Sequence, residues 1–291
     1  MSEIAVTIAS AGLGLAGTLR VPEGIASGER RAAFLVLHGF GSNKSSANVL
    51  QASKFLNDLG YVTLAFDMRG CGESEGEPGR VICLEQVEDT RNALSFLARQ
   101  GCVDAQRIGV IGSSFGGAVS VYAGGVDQRI AAVISNGGWG DGERKFRGQH
   151  ETPDKWARFT KILTDGRAHR AKTGKSLMVA RYDIVPIPPH LRTNLAPNSI
   201  HEFPHETAQS MFDFRGDDVV GRIAPRPLLL IHASNDSVTP TEQSVELFKR
   251  SGQPAELHLF SDADHFLFAE DNARVWGVMR DWLGKYFPAM R

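Results

Sequence analysis

The stretch Ile108-Gly109-Val110-Ile111-Gly112-Ser113-Ser114-Phe115-Gly116 decides the fold. Its apolar start at 108–111 predicts a buried strand, and the motif G-x-S-x-G follows directly at 112–116. The next residues, Ala118-Val119-Ser120-Val121-Tyr122, favour a helix. A strand, a tight turn and a helix in this order place a serine hydroxyl at the carboxyl edge of a sheet. Ser114, midway between the two outer glycines, is therefore the candidate nucleophile.

Glycine is required at the two outer positions of the motif for steric reasons. Side chains two residues before and two residues after the serine would clash in so tight a turn, and the serine backbone itself is strained. The N-terminus of the following helix favours the negative charge that develops during attack on a carbonyl. A serine hydroxyl is nevertheless a weak nucleophile, so it needs a base, and the base needs an orienting group.

Two later strands end next to residues of the required types. Asp236 follows the apolar run 228–231, and His265 follows the apolar run 257–260. Because the carboxyl ends of parallel strands meet at one edge of a sheet, both side chains are expected on the same edge as Ser114. The sequence therefore predicts Ser114, Asp236 and His265 as catalytic residues.

Other roles for these residues stay open at this point. Asp262 and Asp264 are alternative acids, although they lie beside the histidine rather than after the preceding strand. Asp236 would also suit a turn or a helix cap, and His265 a surface loop.

A further segment suits the binding of a negatively charged oxygen. His38-Gly39-Phe40-Gly41 follows the apolar run 33–37. A backbone N–H from such a loop and the N–H after the nucleophile together form an oxyanion hole. The candidate donors are the main-chain N–H groups of Phe40 and Phe115, and His38 is expected to organise the loop by hydrogen bonding.

Apolar runs alternate with helical patterns over most of the chain. Further strands are expected at 61–66 and 130–134, with two short ones meeting in a turn near 10–12. Helices are expected at 46–59, 84–99, 239–250 and 269–287, the third from a capping-box spacing at Thr239-Pro240-Thr241-Glu242. Continuous apolar strands indicate a sheet buried on both faces, hence mostly parallel, and the alternation indicates an α/β fold.

Residues 139–222 break this alternation. They are rich in proline and aromatic residues, and a structureless loop of that length is improbable. The pattern predicts a largely helical cap at 139–222, inserted into a core formed by 1–138 and 223–291. The cap holds 14 of the 32 Lys and Arg residues and 11 acidic ones. A basic cap would suit an anionic substrate, but solvated helix faces are the favoured interpretation.

The composition of the chain limits the partners and the location that can be expected. The chain has 291 residues, 42% of them hydrophobic, and a net charge of −1, which gives no case for nucleic acid or an anionic membrane surface. Three cysteines, Cys71, Cys83 and Cys102, suggest a reducing compartment, so a cytoplasmic location is expected. Glu3 stands where a signal peptide needs a basic residue, and no apolar run reaches membrane-spanning length.

Two other motifs are expected to carry no chemistry. His201-Glu202-Phe203-Pro204-His205 spells H-E-x-x-H, but Pro204 would break the helix that a zinc site requires. Gly12-Leu13-Gly14-Leu15-Ala16-Gly17 spells G-x-G-x-x-G, but a strand rather than a helix follows it. No metal or organic cofactor is therefore predicted.

Several motifs together resemble the α/β-hydrolase superfamily, especially its esterase, dienelactone-hydrolase-like and serine-aminopeptidase-like branches. The resemblance covers 1–138 and 223–291 and implies the fold, the triad and a lid after the sixth strand. The motifs are Leu37-His38-Gly39-Phe40-Gly41, Asp67-Met68-Arg69-Gly70-Cys71-Gly72-Glu73-Ser74, Gly112-Ser113-Ser114-Phe115-Gly116-Gly117, Asp236-Ser237-Val238-Thr239-Pro240 and Asp264-His265.

The expected function is hydrolysis of a carboxylic ester through an acyl-enzyme on Ser114, with a small-molecule acyl substrate. The same triad would also serve a lactone, an amide or peptide, or a C–C bond in a diketone. A non-catalytic binding protein on this scaffold is a further alternative. A homodimer stays open, and neither nucleic acid nor a membrane is expected as a partner.

Overall fold

The structure of the protein, a computed structural model, describes residues 2–26 and 28–290. Eight strands form one sheet in the order β1-β2-β4-β3-β5-β6-β9-β10, and β7 pairs with β8. The strands in these residues are β1 Ser2–Ser10, β2 Leu13–Val21, β3 Arg31–Leu37, β4 Val62–Phe66, β5 Val103–Ser113, β6 Ile130–Asn136, β7 Met178–Ala180, β8 Glu202–Pro204, β9 Leu228–Ala233 and β10 Ala255–Phe260.

The large sheet is mostly parallel. Strands β4, β3, β5, β6, β9 and β10 run parallel to one another, whereas β1 and β2 form an antiparallel hairpin that joins β4 at one edge. The hairpin turns at Ala11 and Gly12, both with positive φ, where the sequence predicted a turn. The carboxyl ends of the six parallel strands therefore share one edge of the sheet, as the site prediction requires.

Helices cover both faces of the sheet. Phe34 and Leu35, neighbours on β3, belong to two different buried clusters, because successive strand side chains point to opposite faces. Burial on both faces explains the continuous apolar runs. The α-helices of the described residues are α1 Ala47–Asp58, α2 Cys83–Leu97, α3 Phe115–Val126, α4 Gly142–Gln149, α5 Pro153–Thr173, α6 Arg181–Ile184, α7 His205–Asp213, α8 Glu242–Arg250 and α9 Ala273–Tyr286.

One helix begins later than its sequence suggests. The capping-box spacing predicted a helix from Pro240, but α8 begins at Glu242 and its N-cap residue, Thr241, makes no side-chain cap. The Thr239 N–H instead donates to the Asp236 carboxylate, 2.7 Å away. That bond holds the segment before α8 in a turn.

The stretch between β6 and β9 contains α4 to α7, two short 3-10 segments near its end, and a third at Pro189–Asn194. We call residues 139–222 the inserted segment. It is largely helical, and it also holds the antiparallel pair β7–β8, which the sequence did not indicate. The division into core and cap stays a prediction, since the pairing of elements alone does not define independent domains.

The two other motifs lie where their sequence context placed them. His201 precedes β8 and His205 opens α7, so the two histidines do not share a helix face. The glycine motif at 12–17 lies in the hairpin turn and in β2. Across residues 2–26 and 28–290, no helix is both long and apolar enough to cross a membrane.

Candidate active site

Ser114 lies on a strained turn between β5 and α3. Its φ is +57° and its ψ is −117°, a conformation that residues with a Cβ rarely adopt. A Cβ on Gly112 would lie 2.2 Å from the Gly116 oxygen, so only glycine fits there. The Ser114 N–H donates to the Asn136 oxygen on the neighbouring strand, 2.7 Å away. The backbone is therefore held with the serine at the tip of the turn.

Asp236 and His265 form a hydrogen-bonded pair. Oδ2 of Asp236 lies 2.8 Å from Nδ1 of His265, and Oδ1 lies 3.1 Å from it. Since a carboxylate only accepts, Nδ1 carries the hydrogen and Nε2 is left able to take up a proton. The two side chains are 1% and 3% exposed, so the pair lies in a medium of low polarity, where the hydrogen bond is stronger than in water.

The Asp236 carboxyl is held in its ionised form. Burial by itself raises its pKa, but the electrostatic attraction and hydrogen bonds of His265 and His232 outweigh that effect and hold the pKa well below its usual range. Oδ1 also accepts from the N–H groups of Val238, at 2.8 Å, and Thr239, at 2.7 Å. The carboxylate is thus fixed in charge and in orientation.

His232 is a second histidine on the same carboxylate and was not predicted from the sequence. It lies fully buried in β9. Its Nε2 is 3.2 Å from Asp236 Oδ2 and 3.0 Å from the Thr239 oxygen, so Nε2 donates. Its Nδ1 accepts from the Ser244 hydroxyl at 2.6 Å. A histidine inside an apolar strand, four residues before the acid, was the signal that could have found it.

The loop after β3 is organised by His38. Its Nδ1 donates to the Gly39 oxygen at 2.8 Å, and its Nε2 accepts from the Met68 N–H at 3.0 Å. Burial lowers the pKa of His38, which keeps this neutral form. The Ser42 N–H also donates to the Gly39 oxygen, at 3.1 Å. Because C=O and N–H of a trans peptide point in opposite directions, the N–H of Phe40 points away from these partners.

In the part of the chain that the structure describes, neither candidate oxyanion donor has a backbone acceptor. Within the described residues, the Phe40 N–H makes no backbone hydrogen bond outside helices and strands. Phe115 is the first residue of α3, where an N–H has no partner inside the helix. A Cβ on Gly116 would lie 2.6 Å from the oxygens of both Leu37 and His38, so the two donor segments pack directly together.

Ser114, His265 and Phe40 line one small cavity of about 40 Å³. The inserted segment supplies further wall residues, namely Arg181, Val185, Ile187, Asn194 and Leu195. A larger cleft of about 630 Å³ adjoins it, because Ile187 and Val238 line both. The structure thus brings Ser114 and His265 to one cavity, but no hydrogen bond joins the Ser114 hydroxyl to the imidazole in the described part of the chain.

The alternative acids lie elsewhere in the same loop region. Asp264 Oδ1 accepts from the backbone N–H groups of His265 and Ser237, each at 2.8 Å, and Oδ2 accepts from the Ser237 hydroxyl. Asp262 is exposed, with a φ of +57°. The carboxylate that reaches the imidazole ring is therefore that of Asp236.

The loop at 234–238, which carries Asp236, is tied to the inserted segment by Gln149, and a buried lysine holds that glutamine in place. Lys145 on α4 is 1% exposed, and its ammonium lies 4.8 Å and 4.0 Å from the ring centres of Trp139 and Phe146. Its Nζ donates to Gln149 Oε1 at 2.7 Å, and Gln149 Nε2 donates to the Val238 oxygen. The sequence favoured solvated helix faces for the charged residues of the inserted segment. Lys145 is an exception, because it is buried.

The stability of the protein is expected to rise with pH because of Lys145. Burial lowers the pKa of its ammonium to about 7, against smaller opposing effects of Cys83 and Asp236. In the unfolded chain the group titrates near 10.4, so between these values the unfolded state binds one more proton and folding gains stability as pH rises. Urea unfolding should show that the free energy of unfolding of the wild type rises by about 4 kcal/mol relative to that of Lys145→Met between pH 7 and 10.

Lys161→Met is the matched control. Lys161 is an exposed residue of α5 that pairs with Asp165 across one helical turn. Its variant should follow the wild-type stability profile at every pH. Parallel profiles for the wild type and Lys145→Met would show that the buried amine does not titrate with folding.

The chain belongs to the α/β-hydrolase family. A profile of the alpha/beta hydrolase fold family matches residues 32–272, most of the chain. The mostly parallel eight-stranded sheet with helices on both faces is the architecture of that family. The family resemblance drawn from the motifs, and the fold class with it, are thereby confirmed.

The chain is similar to several proteins over most of its length. An uncharacterized 31.7 kDa protein of the traX-finO intergenic region of Escherichia coli is 28% identical, covering 94% of this chain and 96% of its own length. Thiohydrolase aneE of Aspergillus aculeatus is 26% identical over 80% and 78% of the two chains. The crystal structure of the alpha/beta hydrolase GrgF from Penicillium sp. sh18 superposes with a TM-score of 0.81 at 22% identity, covering 98% and 99%.

Proposed function

We propose that the protein hydrolyses carboxylic esters through an acyl-enzyme on Ser114, with Asp236 and His265 completing a catalytic triad. The observation that carries the proposal is the buried Asp236–His265 hydrogen bond in the wall of the cavity that holds Ser114. A strained serine turn, a histidine with Nε2 free and an ionised acid are the parts that acyl transfer to serine requires.

The reaction assigns one task to each group. His265 Nε2 takes the proton of Ser114 as Oγ attacks the acyl carbon, and Asp236 stabilises the resulting imidazolium. The N–H groups of Phe40 and Phe115 bind the oxyanion. His265 then gives the proton to the departing alkoxide, and a water molecule repeats the sequence to release the acid. The Ser114–His265 hydrogen bond has to form when substrate binds, and such bonds often tighten only in the complex.

The larger cleft suits the alcohol part of the ester. Since His265 protonates the leaving group, that group has to lie on the side of the imidazole. The acid loop at 234–238, which holds the imidazole, also lines the cleft of about 630 Å³. Lys155, Glu151 and Arg192 give this cleft a polar lining. The wall of the small cavity beside Ser114 is more apolar, with Val185, Leu195 and Phe266, although it also holds Arg181 and Asn194. The arrangement favours an apolar acyl group and a larger, polar leaving group.

A thioester is the second candidate substrate. The observation that favours it is the similarity to thiohydrolase aneE, which spans 80% of this chain. The same triad cleaves both bonds, because attack on the acyl carbon and binding of the oxyanion are common to them.

A substrate panel tests the proposal. Purified protein is assayed with p-nitrophenyl acetate and butyrate, a butyryl thioester, an aminoacyl p-nitroanilide, a lactone and a β-diketone, and labelled with a fluorophosphonate probe. Hydrolysis of the oxygen esters at the highest kcat/KM and covalent labelling of Ser114 are expected. Labelling with hydrolysis of the thioester alone would favour the second candidate. A protein that neither labels nor turns over any substrate would be a binding protein on this scaffold.

A further inference from the structure

Arg181 is a buried cation that has no anionic partner in the described part of the chain. It opens α6 in the inserted segment, is 2% exposed and lines the cavity that holds Ser114. Among residues 2–26 and 28–290, no carboxylate lies within ion-pair distance of its guanidinium. Burial lowers its pKa to about 10, so the group is still charged at neutral pH. A buried charge without a counterion is costly, which calls for a reason beyond packing.

The guanidinium binds the backbone of the loop after β3. Nη2 donates to the Phe40 oxygen, and Nη1 donates to the oxygens of Ile200, at 2.6 Å, and Gly41, at 3.4 Å. Two of these three carbonyls belong to the segment that supplies the Phe40 N–H. The inserted segment therefore holds the candidate oxyanion loop through one side chain.

The surroundings leave the guanidinium little room to move. The rings of Phe40 and Phe203 are stacked with centroids 4.2 Å apart, and the Arg181 guanidinium carbon lies 5.3 Å and 5.9 Å from them. Gly41 has a φ of +52°, and a Cβ there would lie 2.5 Å from the Phe203 ring and 3.1 Å from Arg181 Nη1. The contact is thus closely packed on both the loop side and the segment side.

We propose that Arg181 is a positioning residue of the oxyanion hole. It fixes the carbonyls of Phe40 and Gly41 and places a positive charge without a carboxylate partner next to the segment whose N–H binds the oxyanion. This inference rests on the proposed ester hydrolysis. Preorganised donors and charges stabilise a developing negative charge most strongly in surroundings of low polarity, and Arg181 and His265 are both buried in the wall of this cavity. The cost of burying the guanidinium in the resting protein is offset when the oxyanion forms.

A carboxylate on the substrate is the other anion that Arg181 could meet. Its Nε is buried and finds no hydrogen-bond partner among the described residues, but Nη1 and Nη2 already bind carbonyls. A substrate carboxylate would have to displace the loop that carries the oxyanion donor. The observed contacts favour the positioning role, and the experiment below separates the two.

The test compares Arg181→Met and Arg181→Lys with the wild type on p-nitrophenyl butyrate and with a trifluoromethyl ketone, which forms a hemiketal oxyanion on serine. In Arg181→Met, kcat should fall about 10- to 100-fold with KM nearly unchanged, since the donor is misplaced rather than removed. The inhibition constant of the ketone should rise by a similar factor. Arg181→Lys, which keeps the charge, should recover part of both. A merely structural role would not change ketone binding and kcat in parallel.

Arg226→Met is the matched control. Arg226 also binds backbone carbonyls, those of Gly124, Asp127 and Ile130 among them, but it does not line the cavity. Its variant should lose thermal stability and keep the wild-type kcat and ketone affinity.

Three outcomes would overturn the inference. The first is an unchanged kcat in Arg181→Met, and the second is a fall in kcat without weaker ketone binding. The third is a loss confined to p-nitrophenyl hemisuccinate, assayed beside the butyrate, which would make Arg181 a receptor for a substrate carboxylate. If the methionine variant does not fold, Arg181→Lys serves as the test, and its kcat and its affinity for the ketone should fall together. A wild type that hydrolyses no ester and takes no fluorophosphonate label would refute the proposed function itself, before any variant is compared.

Discussion

Replacing Ser114 by alanine is expected to lower kcat for p-nitrophenyl butyrate by about 10⁴-fold or more and to abolish fluorophosphonate labelling. The hydroxyl is the only group of the proposed triad that bonds to the acyl carbon, so its loss removes the acyl-enzyme route altogether. The oxyanion donors remain, and they leave a residual rate above that of water. Steady-state kinetics and in-gel fluorescence measure both effects, and mass spectrometry of the labelled wild type locates the modified residue.

Ser113→Ala provides the control for this variant. Ser113 precedes the nucleophile, is buried, and accepts a hydrogen bond from Asn136 Nδ2 at 3.2 Å. Its loss should cost stability on the order of 1 kcal/mol while labelling and kcat persist. Should Ser114→Ala still label while Ser113→Ala does not, the nucleophile has been assigned to the wrong serine.

Asp236→Asn is expected to lower kcat by about 10⁴-fold while the protein keeps its fold. The amide is isosteric with the carboxylate, so the N–H groups of Val238 and Thr239 can still bind its oxygen. Its NH₂ group, however, turns the hydrogen of His265 to Nε2, and the imidazole then cannot accept the Ser114 proton. Activity and circular dichroism spectra of the variant and the wild type are the measurements.

The neighbouring aspartates supply two comparisons. Asp262→Asn should be as active as the wild type, because Asp262 is exposed and asparagine tolerates its positive φ. Asp264→Asn should have an intermediate activity, since Asp264 holds the backbone of His265 but does not touch its ring. Full activity in Asp236→Asn, together with a large loss in Asp264→Asn, would identify Asp264 as the acid.

The core of the fold was predictable because its signals are local. Each parallel strand is a short apolar run, and the G-x-S-x-G motif is tied to its turn by steric contacts that only glycine allows. Once the strands are located, the chain order of a parallel sheet places Ser114, Asp236 and His265 at one edge. Position alone did not predict the hydrogen bond between Asp236 and His265.

The residues that were not predicted from the sequence are those whose role depends on tertiary contacts. Lys145 and Arg181 lie among many charged residues of the inserted segment, and nothing in their neighbourhood in the sequence shows that they are buried. Strands β7 and β8 have three residues each, too few for an alternating pattern to appear. A charge placed against aromatic rings or backbone carbonyls is visible only once distant segments have met.

The inserted segment joins two neighbouring parallel strands. The chain leaves β6 after Asn136, at one edge of the sheet, and re-enters at Leu228, the first residue of β9, at the opposite edge. Because any crossover long enough to span the sheet keeps this strand pairing, the segment can be lengthened or shortened without disturbing it. Replacing the inserted segment is therefore expected to change which substrates reach the cavity while the sheet stays intact, provided that the replacement also supplies a side chain that binds the loop at Phe40.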